Sequence, residues 1–256
     1  MLDHLGLGVR GQRSPSRRMG PLRLIILLIM LHLSLGFTPL SSVIRCRTFL
    51  SSAMRSSSSS SATTAATASM VVKTRKWVHE WVANYGLCPW AASMLVGERM
   101  RISVMEAKAG LASNVVDNMI EEARLLCTKK SLMETTLIVC PHEELRDYHT
   151  YLDVVYDFET ALKKNGMDKR VQVASFHPDY VFADTPEESP ENYTNRSPFP
   201  IVHLLLVDKV TEAITSYCEG GKTTEAIWER NIALMHELGI DKISHIHSSI
   251  NDDSVM

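Results

Sequence analysis

Between His4 and His79 the chain contains no aspartate and no glutamate, although arginine and serine are frequent there. So long a stretch without acid does not read as part of a folded domain. It also holds no membrane-length apolar run: Leu24–Leu35 is shorter than the ~20 residues a spanning helix needs. Preceded by Arg17, Arg18 and Arg23, and followed by the small residues Ser34 and Gly36, that run fits the h-region of a secretory signal. Initiation at Met19 would shorten its n-region. Phe37-Thr-Pro39 comes next, then Arg45, Arg47, Arg55 and the serine run Ser56 to Ser61. This acid-free, Arg- and Ser-rich character is that of an organellar transit peptide. The two signals in series, with Phe at their junction, resemble the bipartite presequences of algae whose plastids derive from an engulfed red alga. The expectation is a plastid protein with a disordered leader over 1–70; the alternative is a secreted one.

No Cys-x-x-Cys pair occurs. Of five cysteines, Cys46 lies in the leader and Cys88, Cys127, Cys140 and Cys218 are widely spaced. That spacing excludes a disulfide scaffold and a thioredoxin-type motif. Basic charge is also scarce past the leader. Residues 1–70 hold 8 of the 27 basic residues and 1 of the 29 acidic ones, so 71–256 carry 19 against 28, a formal charge of −9. A nucleic-acid binder shows a basic stripe; this chain shows none, and nucleic acid is excluded as a partner. There is no internal repeat. The length suits one domain over 71–239 with a polar, loose tail over 240–256.

Trp77, Val78, Trp81, Val82 and Tyr85 recur at helical spacing up to Gly86. Arg101–Glu106 is a short strand candidate. Leu111–Cys127 is helical, with Val115, Val116, Met119, Ile120, Ala123 and Cys127 on one face. Thr135–Cys140 is a strand halted by Pro141. Glu143–Lys164 is a helix stopped by Asn165-Gly166, and Val171–Phe176 a strand. Ile201–Leu206 suits strand or helix, and Asp208–Tyr217 and Thr224–Leu238 are helical. The order predicts an α/β fold, a small, mostly parallel βαβαβ sheet flanked by helices. A ferredoxin-like α+β arrangement is the alternative.

Ligands of parallel sheets bind past the carboxyl ends of the strands, which directs attention to Glu106, to Cys140-Pro-His142 and above all to Ser175–Pro200. There Ser-Phe-His-Pro-Asp-Tyr is followed by an acidic loop and by Asn-Tyr-Thr-Asn-Arg-Ser-Pro-Phe-Pro. This stretch is too polar and too rich in proline to be core, and functional loops on a rigid scaffold have this composition. His177 and Asp179 flank Pro178, which stiffens the turn. An imidazole beside a carboxylate suits a general base or a metal ligand; a turn hydrogen bond and a sheet cap are the structural alternative. Arg196, with Asn195 beside it, suits a carboxylate or phosphate, or a pairing with Glu187, Glu188 and Glu191. Cys88 is a candidate nucleophile or a buried thiol. Cys88, Cys140, His142, His177 and Asp179 have the donor chemistry of a zinc or iron site, yet their spacing matches no local metal motif. His245 and His247 read as solvated.

Asn84-Tyr-Gly-Leu-Cys88-Pro89, Val173-Ala-Ser-Phe-His177-Pro-Asp179-Tyr180, Asn192-Tyr-Thr-Asn195-Arg196-Ser-Pro198, His203-Leu-Leu and Glu229-Arg230-Asn231 together resemble the mainly bacterial family DUF1415 over residues 73–239. The resemblance brings no activity with it. It implies a bacterial-type domain behind an added leader, and adds Arg230 and Asn231 to the site candidates. The leading expectation is a small-molecule enzyme, hydrolase- or transferase-like, acting on an anionic substrate. His177 would be its base or metal ligand, with Asp179 orienting it; in a metal site Asp179 and His142 would be further ligands of a zinc or iron ion. Asn195, Arg196, Arg230, Asn231 and Tyr180 would contact substrate. The alternative is a non-catalytic binding or assembly factor that docks a partner on an exposed patch of Tyr180, Phe182, Tyr193 and Phe199.

Overall fold

A computed structural model of the chain describes residues 60–106, 114–128, 131–183, 185–221 and 223–252. The expected signal segment and the transit segment up to residue 59 lie outside these residues; residues 60–70, expected to be disordered leader, are helical instead. Helix α1 spans Ser60–Trp77 and runs directly into a π-helical segment, Val78–Ala83. The short α2, Ala91–Val96, leads to β1, Met100–Val104. Helix α3 covers Asn114–Leu126, β2 Thr135–Val139 and α4 Tyr148–Lys164. Asp147 caps α4: its side chain accepts the Thr150 N–H at 2.8 Å, satisfying one of the donors a helix start leaves free. Strands β3, Val171–Phe176, and β4, Ile201–Leu206, are joined by the 177–200 loop. Helices α5 (Val207–Glu219), α6 (Glu225–Leu238) and α7 (Ile240–Asn251) follow. No helix of the described residues is long and apolar enough to cross a membrane.

The fold is mixed α/β on one four-stranded sheet, ordered β1-β2-β4-β3. It is not mostly parallel. β1 and β2 are parallel, but β4 is antiparallel to both β2 and β3. The undecided Ile201–Leu206 run is the cause. The 177–200 loop returns the chain to the end where β3 finished, so β4 must run back, and it fills the gap that β2–α4–β3 leaves open. The result is a split βαβ unit; the parallel β1–β2 pair separates it from the ferredoxin-like alternative. Because β1, β2 and β3 still point the same way, Val104, Val139, Ile201 and Phe176 form one line across the sheet. The loops expected to carry chemistry leave from that end.

Alternation along the strands divides the core in two. Ile138, Val202 and Leu204 pack with Met119, Ile120 and Ala123 of α3 and with Tyr151, Val155, Phe158 and Leu162 of α4. Leu137, Val139 and Ile201 pack on the opposite side with Trp77, Trp81, Met235, Ile243 and Ile250. All five residues of β2 are buried, as befits a strand with helices over both faces. Each large side chain enclosed this way contributes about 1.5–3 kcal/mol.

The tail does not trail loosely. α7 buries Ile243 and Ile250, two helical turns apart, with His247 on the stripe between them. Its polar outer face hides that stripe from a composition-based reading.

Tyr151 connects the first core to the sheet end. Its hydroxyl donates to the Ile201 carbonyl at 2.7 Å and accepts the Phe176 N–H at 3.2 Å, and the residue is fully buried. Tyr151→Phe leaves a carbonyl and an amide without that partner. Urea unfolding is expected to show a loss of about 1–3 kcal/mol; an unchanged midpoint would mean that other groups satisfy both.

Candidate functional site

The 177–200 loop starts at His177, which is completely buried. The Asp179 N–H donates to its Nδ1 at 3.0 Å, so the ring proton sits on Nε2, which donates to the Leu145 carbonyl at 3.0 Å. Both ring nitrogens are therefore engaged by backbone. The His177 N–H reaches the Asn195 carbonyl at 3.3 Å, and the His177 carbonyl accepts from Tyr180 and Ser197 at 3.2 and 3.4 Å. The ring lies 5.1 Å from each of the Tyr148 and Tyr151 rings. Burial lowers its pKa, against the Leu145 hydrogen bond and the charges of Asp179 and Asp147. The Asp179 residue is exposed, and it is its backbone, not its carboxylate, that orients the ring.

The rest of the loop follows the same rule. Asn192, fully buried, accepts from the Phe182 N–H (3.0 Å) and the Thr185 hydroxyl (2.8 Å) and donates to the Pro186 and Glu187 carbonyls (2.8 and 3.1 Å). All four of its hydrogen-bonding positions are filled. Asn195 donates to the Ser175 carbonyl at 3.2 Å. Arg196 donates to the carbonyls of Tyr180 (3.3 Å) and Glu187 (2.9 Å), and its guanidinium lies 4.4 Å from the centre of the Tyr193 ring. It thus binds the acidic loop through backbone oxygens, not through carboxylates. Two indoles hold the loop from outside: Trp77 donates to the Arg196 carbonyl at 3.1 Å and Trp81 to the Tyr193 carbonyl at 3.0 Å. Tyr180 is buried, while Phe182, Tyr193 and Phe199 are half-buried, so the four aromatics form no exposed docking patch.

The 84–89 stretch is held from α6. Gly86 takes φ 63°, a conformation that favours glycine, and a Cβ there would lie 3.2 Å from Arg230 Nη2. Arg230 donates to the Gly86 and Tyr85 carbonyls at 2.9 and 2.8 Å, and Asn231 to the Leu87 carbonyl at 2.8 Å. The Cys88 thiol is pushed up in pKa by burial, the opposite of what a reactive thiolate needs. Burial likewise raises Cys140 to about 12. His142 is buried, with an Nδ1 that has no hydrogen-bond partner among the described residues. Among the described residues, no three His, Cys, Asp or Glu side chains gather as a metal ion would require; His142, His177 and Asp179 form no such set.

Two histidines outside the expected site matter more than the sequence suggests. His247 is not solvated: its ring stands edge-on to Trp81 (4.7 Å) and Tyr193 (5.0 Å). Burial, helped by Arg196, lowers its pKa to about 4. His203, on β4, contacts the Thr135 hydroxyl at 2.5 Å, and burial lowers it to about 4 as well. Spacing on a helix signals the first; nothing in composition signals the second.

A groove of about 600 Å³ lies between α1 and α7, lined also by Leu95 of α2 and His79 and Glu80 of the π-helical segment. A smaller notch of about 450 Å³ lies between Trp90 and α5.

The chain is thus a helix-covered mixed-sheet α/β domain whose polar motif loops are fastened to its own backbone. A family model, described as a protein of unknown function (DUF1415), matches residues 69–245; the chain belongs to that family. No curated protein and no solved structure matches it.

Two outcomes follow from this geometry. Removing the imidazole in His177→Ala strands the Leu145 carbonyl and the Asp179 amide, and is expected to lower unfolding stability by roughly 2–4 kcal/mol. Asp179→Ala should change it by no more than about 0.5 kcal/mol. Equal effects in the two variants would remove His177 from its framing role. The second outcome concerns pH. His203 and His247 titrate at about 4 in the fold and at about 6.5 in the unfolded chain. Their folded pKa values are depressed, so the stabilisation is complete above pH 6.5 and is lost as pH falls from 6.5 towards 4. The loss is bounded by roughly 3 kcal/mol for each ring and falls short of that, because both residues keep partial access to water. Urea unfolding at pH 7.5, 5.5 and 4.5 measures it; a flat profile over that range would show that the two rings are hydrated.

Proposed function

We propose that the domain binds a small amphipathic anion in the groove between α1 and α7, and that its motif loops frame that groove. The observation that carries this reading is the lining. Val71, Val72, Leu95 and Ile250 offer apolar surface beside Lys73, Arg75, Lys76 and His79. Lys73, Arg75 and Lys76 outnumber Glu80 and Asp252 among the lining residues, a small local excess of positive charge on a domain of formal charge −9. Glu80 and Asp252 limit that excess to a small anion and disfavour a polyanion. The volume falls within the usual range for small-ligand sites, and π-helical segments recur beside such sites.

The loop supports the reading because it holds both walls. Trp77 and Trp81 tie α1 to it. The Tyr193 ring meets His247 of α7, and Tyr193 Oη lies 3.5 Å from Ser244 Oγ. With both its nitrogens engaged, His177 suits this framing role better than that of a base or metal ligand. The proposal also places the mature domain in the plastid, which the acid-free, Arg- and Ser-rich leader supports. A fluorescent fusion of residues 1–70 that stays outside the plastid of an algal cell would end that part of it.

Anilinonaphthalene sulfonate, an aryl sulfonate that fluoresces in apolar surroundings, tests the groove. It should bind the full chain saturably, be displaced by decanoate more readily than by decanol, and weaken with salt. Arg75→Gln, at an exposed position, should weaken it about tenfold, the equivalent of one charge-assisted contact. Binding that ignores both the substitution and the salt would place the probe elsewhere.

A further inference from the structure

Among the described residues, half-buried His203 differs from His142, His177 and His247 in how its two nitrogens are used. The Thr135 hydroxyl donates its single proton to the Leu204 carbonyl at 2.7 Å, so toward His203 it can only accept. The 2.5 Å contact is therefore His203 Nε2–H to Thr135 Oγ1. The tautomer is set: Nε2 carries the proton, and Nδ1 has a bare lone pair. His177 lacks this property because both its nitrogens have partners. His142 Nδ1 and His247 Nε2 lack it because those atoms are sealed in the interior.

His203 keeps partial access to solvent. In the sheet it stands opposite Leu137 on one side and Ala174 on the other. The neighbouring pair on the same face is Gln172 and Leu205. All four residues of the β3–β4 strip, Gln172, Ala174, His203 and Leu205, are half-buried, unlike the fully buried β2 beside them. Ala174, opposite the imidazole, is the smallest side chain of the strip, the Phe176 ring lies 6.0 Å away, and the Gln172 amide adds a second polar group one diagonal step along the strip.

We propose that this strip is a second ligand site, at which His203 Nδ1 accepts a hydrogen bond from the O–H or N–H of a neutral molecule such as a phenol, alcohol or amide. Burial keeps the ring uncharged at neutral pH, which suits a neutral donor and disfavours a carboxylate. The site is separate from the α1–α7 groove and does not depend on it.

Diethyl pyrocarbonate on the full chain at pH 7 tests the proposal. The reagent acylates an unprotonated, reachable imidazole nitrogen, releasing ethanol and carbon dioxide. Peptide mapping should show His203 labelled at least about tenfold faster than His177, the ratio that 1.4 kcal/mol of differential protection represents. Phenol should slow labelling of His203, and benzoate should not. Nitrogen-15 spectra should show the Nε2–H tautomer at His203, and a mixed tautomer in Thr135→Val; should that variant fail to fold, the wild-type spectrum decides. Labelling of His203 no faster than His177, an Nδ1–H tautomer, or equal protection by phenol and benzoate would each overturn it.

Discussion

Two indole N–H groups fix where the polar half of this molecule sits. Trp77 and Trp81 are one helical turn apart, and each donates to a carbonyl of the same loop, at Arg196 and at Tyr193. A loop as long as 177–200 must satisfy its backbone within the protein or in water. Here the helix side chains satisfy part of it and so set the distance between α1 and the sheet end. The Trp77 ring also packs edge-on against Phe176 at 5.3 Å, so one residue anchors both the strand that enters the loop and the loop itself.

The same requirement explains the chemistry of the motif residues. His177, Asn192, Asn195, Arg196, Arg230 and Asn231 are residue types expected at active sites, and each bonds a backbone group of its own chain. An irregular segment over the end of a sheet presents carbonyls and amides in no repeating pattern, which a ladder cannot satisfy. Side chains with several donors or acceptors at fixed angles can. Asparagine and arginine are well suited, and an imidazole can bridge an amide and a carbonyl at once. Polar residues in such a loop therefore identify a demanding backbone as readily as a reaction.

This also marks how far the sequence could be read. The β2 strand and the α3 and α4 helices were legible because burial leaves a direct trace in the spacing of Val115, Met119 and Ala123 or of Tyr151, Val155, Phe158 and Leu162. The direction of β4 was not, since an apolar run such as Ile201–Leu206 reads the same both ways and its partners are set by the loop before it. The α7 helix was hidden by its serines and histidines, although Ile243, His247 and Ile250 carry the period. The position of the motif loop past the strand ends was legible from His177 and Pro178. Whether His177 turns its nitrogens toward solvent or toward Leu145 and Asp179 depends on contacts distant in the chain, which local spacing does not record.

The frame and the cavities are then parts of one arrangement. α1 is fastened to the loop through its indoles, and α7 meets the loop through Tyr193 and His247, so the loop sets the separation of the two helices at one end. Further along, Lys76 donates to the Ser249 carbonyl at 2.6 Å and joins the same two helices directly. The groove opens between elements held at both points, and its cations project from a helix that the core cannot release without exposing Trp77 and Trp81. A loosened loop would therefore widen the groove before it unfolded the sheet, because β2 and β4 are also held from their other face by the first core. Ligand affinity should in consequence be more sensitive than global stability to small losses in the loop, and that ordering separates a frame from a merely structural turn.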